Sequence, residues 1–126
     1  MSDMKAVKDE HNQLPIPTIW RPIFITIVDA FIKQDYLLDT LPFCPAIISE
    51  DSATQIKDYI ENYGESLIHL AEETWNSSVC LWLGDKWDVL IDLWTEGEGH
   101  SDLVLKATVV ENGDSYLVII VMVYVP

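Results

Sequence analysis

Residues 75–126 decide the fold, and they read WNSSVCLWLGDKWDVLIDLWTEGEGHSDLVLKATVVENGDSYLVIIVMVYVP. Three turn signals divide this stretch into four largely apolar runs. Gly84-Asp85 suits a two-residue loop with glycine first, and Asn112-Gly113 is the strongest short hairpin signal that a sequence offers. Residues 96–100 contain two glycines and suit a longer hairpin loop. The stretch therefore predicts four consecutive antiparallel strands, a β-meander.

The registers deduced from two of these turns place the same apolar side chains on one face of the sheet. A slip of one residue in either hairpin would turn that set toward water, so the agreement supports both registers. The expected pairs are Thr95–Ser101, Ile91–Leu105, Val89–Ala107 and Trp87–Val109 in one hairpin, and Glu111–Asp114, Val109–Tyr116, Ala107–Val118 and Leu105–Ile120 in the other.

The opposite face is polar on the inner strands and apolar on the last strand. An apolar strand left bare on a sheet is an aggregation hazard, so something is expected to cover it. The cover is either an N-terminal segment or a second copy of the chain. In the second case the sequence predicts a homodimer through Leu117, Ile119, Val121 and Val123.

The N-terminal half predicts two helices. The first is expected over residues 18–34, with Pro22 near its start and apolar residues around most of its circumference. The second is capped by Ser49 or Asp51 and ends at Gly64. Residues 66–70 alternate in polarity and add a short strand.

The predicted fold class is α+β. It consists of an antiparallel meander of four to five strands in the C-terminal half, packed on one face by the two N-terminal helices. Residues 1–13 are expected to form a flexible leader, and residues 14–126 a single domain.

Composition excludes several classes of partner. The chain has 126 residues, 49% of them hydrophobic, and 21 acidic against 7 basic residues give a formal charge of −14. This balance opposes binding to nucleic acid or to an anionic membrane, which needs clusters of lysine and arginine. It favours solubility and can steer a basic protein partner toward the surface. An acidic cytosolic protein without such a partner has the same composition.

The chain is expected to be cytoplasmic. Its first residues lack the apolar core of a signal peptide, and the apolar run at residues 19–32 is interrupted by Arg21 and Asp29. That run is also too short to span a bilayer. Cys44 and Cys80 lie far apart without metal-type spacing, so both are expected to be buried thiols. No pattern indicates a cofactor.

Three carboxylates on the polar face, Asp88, Asp92 and Asp102, raise the question of a metal site. Asp88 and Asp92 are about 13 Å apart along one strand, too far to share an ion. Asp92 and Asp102 are expected to be diagonal neighbours whose side chains can meet, but a hard cation needs more oxygen ligands than these two supply. Lys106 is expected between Asp88 and Asp92 on the same face, so the alternative is a solvated lattice of charges.

His100, Ser101 and Asp102 resemble the parts of a hydrolase. Adjacent residues on a strand point to opposite faces, however, so they cannot form the relay. His100 alone can serve as a general base, although a histidine at a hairpin tip is also common without any such role.

The tryptophans point to a binding surface. The Gly84-Asp85 turn is expected to place Trp82 opposite Trp87 and, further along, Trp75 opposite Trp94, which then faces Asp102. An aromatic pair beside carboxylates can hold a cationic ligand or an arginine of a partner. Paired tryptophans also stabilise sheets without further function.

The segments ETWNSSVCLWLGDKWDVLIDLWTEGEGHSDLVL and MVYVP resemble a family of small uncharacterised bacterial proteins in which WDVL, DLW, EG and SDL elements recur. The likeness covers most of the chain from Leu14 onward. It implies a bacterial cytosolic domain of unknown function and brings no catalytic residues with it.

Two functions follow from these observations. The first is a non-enzymatic binding protein, of the immunity type that neutralises a basic protein. The second is a small-ligand or metal-assisted enzyme. The contact face of the first would contain Trp75, Asp88, Asp92, Trp94 and Asp102, and the site of the second would use His100, Asp92 and Asp102.

Overall fold

The computed structural model describes residues 6–126. Within them, a mostly antiparallel seven-stranded sheet is packed against two α-helices. The helices are α1 (Arg21–Ile32) and α2 (Glu50–Tyr63). The strands are β1 (Leu14–Pro15), β2 (Ala46–Ile47), β3 (Leu67–Ile68), β4 (Val79–Trp82), β5 (Trp87–Thr95), β6 (Gly99–Asn112) and β7 (Ser115–Tyr124). The strand order is β1-β4-β5-β6-β7-β2, with β3 paired to β5.

The α+β class and the antiparallel meander are confirmed, since β4 to β7 follow one another in the sheet. The predicted count of four to five strands was too low. Two of the extra strands, β1 and β2, have only two residues each, too short for any alternation to show in the sequence. The meander also begins later than expected, because Glu72–Asn76 forms a 3-10 helix and β4 starts at Val79.

The β5–β6 register is confirmed over its first half, where Trp87 pairs with Val109, Val89 with Ala107 and Ile91 with Leu105. It was wrong at the loop, where Thr95 pairs with Gly99 and Trp94 with His100. Between the Asp92–Val104 and Trp94–His100 pairs, β6 carries two more residues than β5. An excess of two leaves every side chain on its expected face.

The β6–β7 register was wrong by two residues at the turn. Gly113 (φ 64°) and Asp114 form the loop, and Asn112 pairs with Ser115. A shift of two preserves the faces, so Val118 and Ile120 still point to the core. Further along, β7 carries one extra residue between the Ala107–Ile120 and Lys106–Met122 pairs.

That extra residue corrects the predicted dimer surface. A one-residue bulge inverts the alternation beyond it. Val123 therefore points inward and is 0% exposed, whereas it was expected beside Leu117, Ile119 and Val121. Those three side chains remain partly exposed on the opposite face.

The helix boundaries follow local signals. Pro22 stands in the first turn of α1, which is shorter than predicted at both ends and is followed by Gln34 at φ 65°. The predicted caps of α2 are confirmed. The Ser49 hydroxyl accepts the Ser52 amide at 3.1 Å, and Gly64 ends the helix in the left-handed region at φ 87°.

Both helices pack on one face of the sheet, here called the inner face. Its centre is an aromatic cluster in which the ring centroids of Trp20 and Trp87 are 5.2 Å apart, edge to face, and Tyr116 packs against both. The buried side chains that join the helices to the sheet include Phe24, Ile27, Phe31, Ile56, Ile60, Val89, Ile91, Leu103, Leu105, Val109, Val118 and Val123.

The first described residues contact this cluster. The Ala6 amide donates to the Tyr116 hydroxyl at 3.0 Å, and Trp87 Nε1 donates to the Val7 carbonyl at 3.1 Å. The remainder of the predicted leader, residues 1–5, lies outside the described residues.

The free edge of β7 is occupied by groups from the N-terminal half. The Val118 amide donates to the Pro45 carbonyl at 2.9 Å, beside the parallel strand β2. Gln55 of α2 makes two bonds to Val123, with Nε2 donating to its carbonyl at 2.7 Å and Oε1 accepting its amide at 3.1 Å. The Tyr59 hydroxyl accepts the Val125 amide at 3.1 Å. These contacts block the addition of another strand.

The opposite, outer face is not covered by either helix of the described chain. Its cross-strand rows follow from the pairing. One row contains Leu81, Asp88, Thr108, Ile119 and Ile47, and the next contains Val79, Leu90, Lys106 and Met122. Toward the β5–β6 loop come Asp92, Val104 and Tyr124, and then Ile68, Trp94 and His100.

Candidate functional site

The best-defined polar cluster lies at the end of the outer face, next to the β5–β6 loop. We call Asp92, Trp94, His100 and Asp102 the acidic-aromatic end. Asp92 and Trp94 stand on the last part of β5, and His100 and Asp102 on the first part of β6. All four alternate with buried neighbours, so the period of the strands turns them to the same face.

Asp92 is held by three hydroxyl groups of the segment before β4. The Thr74 hydroxyl donates to its carbonyl at 2.7 Å, and its amide donates to the Ser78 hydroxyl at 2.9 Å. The Ser77 hydroxyl donates to carboxylate oxygen Oδ2. The Asp92 side chain is 19% exposed. Thr74 and Ser78 thus hold the main chain of Asp92, and Ser77 holds its carboxylate, which stays accessible.

Trp94 and His100 form the aromatic part of the site. They are directly paired across the strands, and their rings stack with centroids 5.3 Å apart and an interplanar angle of 20°. His100 Nε2 lies 3.5 Å from Asp92 Oδ2, and the His100 side chain is 51% exposed. A flat aromatic surface thus adjoins a fixed carboxylate.

One polar atom of this site has no partner. Trp94 Nε1 is buried and forms no hydrogen bond within the described residues. Burying an indole N–H without an acceptor costs free energy.

The arrangement is not a hydrolase relay. Ser77 donates to Asp92 and makes no contact with His100, whereas a nucleophilic serine must be bonded to the histidine. Ser101 faces inward, 5% exposed, with its hydroxyl donating to the Leu93 carbonyl at 2.7 Å. The prediction that Ser101 points to the face opposite that of His100 and Asp102 is confirmed.

The structure brings together only part of the predicted contact face. Trp75 was expected opposite Trp94, but it lies in the 3-10 helix, is 6% exposed and has the Arg21 guanidinium 5.4 Å from its ring centroid. Asp88 is partly exposed and pairs with Thr108, about 13 Å from Asp92 along the strand. Neither belongs to the acidic-aromatic end.

The predicted neighbour of Trp94 changes, whereas that of Asp92 does not. His100, not Asp102, pairs with Trp94, and Val104 pairs with Asp92 as the predicted register requires. The two extra residues of β6 cause this change, since Asp102 lies within the irregular segment. Asp102 is exposed, and its amide donates to the Tyr63 hydroxyl at 3.4 Å.

The loop beside the site is tied to the end of α2. The Tyr63 hydroxyl donates to Glu98 Oε1 at 2.7 Å, and the Gly97 amide donates to Glu65 Oε1 at 3.0 Å. A Cβ at residue 97 would come too close to Glu65 Oε1, so a larger residue there would require the Glu65 side chain to move. The loop is therefore held at Gly97 and at Glu98.

Sequence reasoning missed Thr74, Ser77 and Ser78. Their signal was a run of hydroxyl-bearing residues directly before a strand, but which carboxylate they contact depends on the 3-10 helix.

Among residues 6–126, no group of three or more histidine, cysteine and acidic side chains is arranged to hold a metal ion. No helix in this part of the chain is long and apolar enough to cross a membrane.

Comparison with known proteins identifies the family alone. No curated protein and no solved structure matches the chain. The model of a domain of unknown function, DUF7668, matches residues 28–126, which is more than half of the chain and includes α2 and the whole meander. The chain therefore belongs to the DUF7668 family.

Proposed function

We propose that this protein is a non-enzymatic binding protein of the immunity type, which recognises a basic protein through the acidic-aromatic end. One observation carries the proposal: the Trp94–His100 stack lies beside a carboxylate held by the Ser77 hydroxyl. A planar guanidinium can stack on an aromatic face and donate to an adjacent carboxylate at the same time.

Charge supports the same class of partner. The β5–β6 loop next to the stack contains the exposed residues Glu96 and Glu98, and exposed Asp102 follows on β6. Among the residues described, lysine neutralises carboxylates only in the pairs Lys8–Glu111 and Lys57–Glu61, both away from this end. The remaining negative field attracts a basic protein and raises its association rate, most strongly at low salt.

Preorganisation also favours binding. Side chains and loops that must be ordered on association reduce affinity by about 0.5–1.5 kcal/mol each. Here Asp92 is fixed by three hydroxyls, and the loop is fixed by Tyr63 and Glu65. A partner would therefore meet a site that is already in its binding arrangement.

The test compares two double charge reversals with the same change in net charge. Glu96→Lys with Asp102→Lys alters the acidic-aromatic end, and Asp58→Lys with Asp114→Lys alters exposed positions elsewhere. Tagged wild-type protein is first used to recover basic proteins from cells of the source organism. Calorimetry then measures the affinity of the wild-type protein and of both double variants for a recovered protein. We expect the first variant to lose at least tenfold in affinity, about 1.4 kcal/mol, and the second to lose much less.

The salt dependence is measured with the same proteins. Binding to a basic partner should weaken as salt rises, because screening shortens the reach of the charges. A partner that binds both double variants equally well would place the contact elsewhere. The proposal would be refuted if no partner were recovered whose binding depends on Asp102 or Glu96.

The second candidate is a small-ligand or metal-assisted enzyme that uses Asp92, His100 and Asp102. The observation in its favour is the 3.5 Å approach of His100 Nε2 to Asp92, a carboxylate–histidine contact open to solvent. A thermal-shift screen with divalent metals and common metabolites tests it. A ligand at 100 times its dissociation constant stabilises by about 2.7 kcal/mol, and the shift should disappear in His100→Ala. A screen without any such ligand would count against this candidate.

A further inference from the structure

We propose that the protein forms a weak homodimer through the middle of its outer face, with two copies packed sheet against sheet. The surface concerned, the neutral patch, lies between the acidic-aromatic end and the Asn112–Ser115 turn. Its apolar side chains are Leu81, Leu90, Val110, Leu117, Ile119 and Ile47. Ile47 is 51% exposed.

The edge of the sheet at β7 does not offer an alternative route to self-association. Gln55 occupies both polar groups of Val123, and Tyr59 accepts the amide of Val125. Next to them, β2 pairs with β7. A second copy therefore cannot add as a strand there, and the open outer face is the remaining apolar surface of β7.

The charges of the patch favour a second copy over a basic partner. Asp88 and Lys106 are its only charged side chains and stand on neighbouring strands in adjacent rows. Neither forms an ion pair with any residue in the described range. In a chain of charge −14, a patch with one charge of each sign is self-complementary, because a two-fold axis can bring Lys106 of one copy to Asp88 of the other.

The size of the patch sets the strength of the dimer. Five strands, separated by four intervals of about 4.8 Å, and seven residues of about 3.3 Å give roughly 440 Å² in projection. Tight complexes bury about 800 Å² on each partner. The contact is therefore expected to be reversible and concentration-dependent.

Salt distinguishes this dimer from binding of a basic protein. The two copies carry the same net charge, so their long-range interaction is repulsive, and added salt screens it. Dimerisation should strengthen with salt, whereas the interaction under the proposed function should weaken. The dimer leaves the acidic-aromatic end at the rim, and either proposal can fail without the other.

The experiment is sedimentation velocity of the full chain over a range of concentrations up to about 0.2 mM, at about 0.02, 0.15 and 0.5 M NaCl. We expect a monomer–dimer equilibrium that shifts toward dimer with salt. Ile119→Arg should abolish the dimer, and its circular dichroism spectrum shows whether it is folded.

A charge swap gives the decisive comparison, because it changes no apolar contact. Asp88→Lys and Lys106→Asp should each weaken dimerisation at least tenfold, since each leaves two like charges in both patches. The double variant should recover wild-type affinity, because the pair is restored with its signs exchanged. Asp114→Lys, which lies outside the patch, controls for the change in net charge.

Three results would overturn the proposal. They are a monomer at every concentration and salt level, a dimer that survives Ile119→Arg, and a double swap no better than the single reversals.

Discussion

Replacing Gln55 by methionine should destabilise the fold by removing the cap on β7. Methionine matches glutamine in length and in helix propensity, so the change acts mainly through the two lost hydrogen bonds. Gln55 bonds the Val123 carbonyl at 2.7 Å and its amide at 3.1 Å. Each contributes about 1 kcal/mol, which predicts a loss of about 2 kcal/mol in the free energy of unfolding.

The assay is thermal and urea unfolding followed by circular dichroism. An unfolding entropy of about 2.1 cal/mol/K per residue, applied to 126 residues, converts a loss of 2 kcal/mol into a melting temperature lower by about 8 °C. The control is Thr54→Met, an exposed position on the same helix, expected to change stability by less than about 0.5 kcal/mol. Light scattering on heating should also rise earlier in the Gln55 variant, because the strand edge is unblocked.

The result that would refute this reasoning is an equal melting temperature for Gln55→Met and Thr54→Met. The amide and carbonyl of Val123 would then be stabilised as much by hydrogen bonds to water as by those to Gln55. The blocked edge would no longer be an argument for self-association through the outer face.

Two further predictions concern side chains whose surroundings differ sharply. Val123→Asp should lower the free energy of unfolding by more than about 3 kcal/mol, because it buries an unpaired carboxylate. Val121→Asp on the outer face should lower it by less than about 1 kcal/mol. Urea unfolding of dilute protein compares the two variants. Equal losses would contradict the inverted alternation after the bulge. Burial raises the pKa of the Cys80 thiol to about 11. Iodoacetamide at neutral pH should therefore modify the less buried Cys44 first and Cys80 only after unfolding. Mass spectrometry can follow both modifications. Because the unfolded thiol ionises near 9 and the folded one only near 11, stability should fall as the pH rises through that interval.

Most of the fold could be predicted where the sequence alternates. On β5, every second residue from Trp87 to Leu93 is apolar, with Asp88 and Asp92 on the opposite face, and the register deduced there is correct as far as Ile91. The caps of α2 could be predicted because Ser49 and Gly64 act through local backbone geometry. These signals depend on neighbouring residues alone.

The bulge in β7 could not be predicted, and the reason is physical. The strand SYLVIIVMVY is apolar at nearly every position, so a slip of one residue changes no polarity and leaves no signal. Val123 was placed on the wrong face for that reason. The misplacement of Trp75 has a different origin, since a 3-10 helix of five residues carries no periodicity that distinguishes it from a strand.

The candidate site was predicted in part. Asp92, Trp94 and His100 were all identified, but Asp102 was assigned as the neighbour of Trp94 in place of His100. The hydroxyls that fix Asp92 were missed, because their contact requires the chain to turn back along the edge of β5. Such contacts arise from tertiary structure and leave no mark in residue spacing.

Helix α2 holds two neighbouring segments at one end of the sheet, since the last residues of β7 lie in the same cross-strand row as Asp92. Near its middle, Gln55 and Tyr59 hold the last strand, and at its end Tyr63 holds the loop beside the acidic-aromatic end. A fluctuation that lifts the helix from the sheet would release both at once. Amide hydrogens of Val123 and Val125 should therefore exchange with solvent at a common rate, and a ligand that stabilises the β5–β6 loop should slow that exchange through α2.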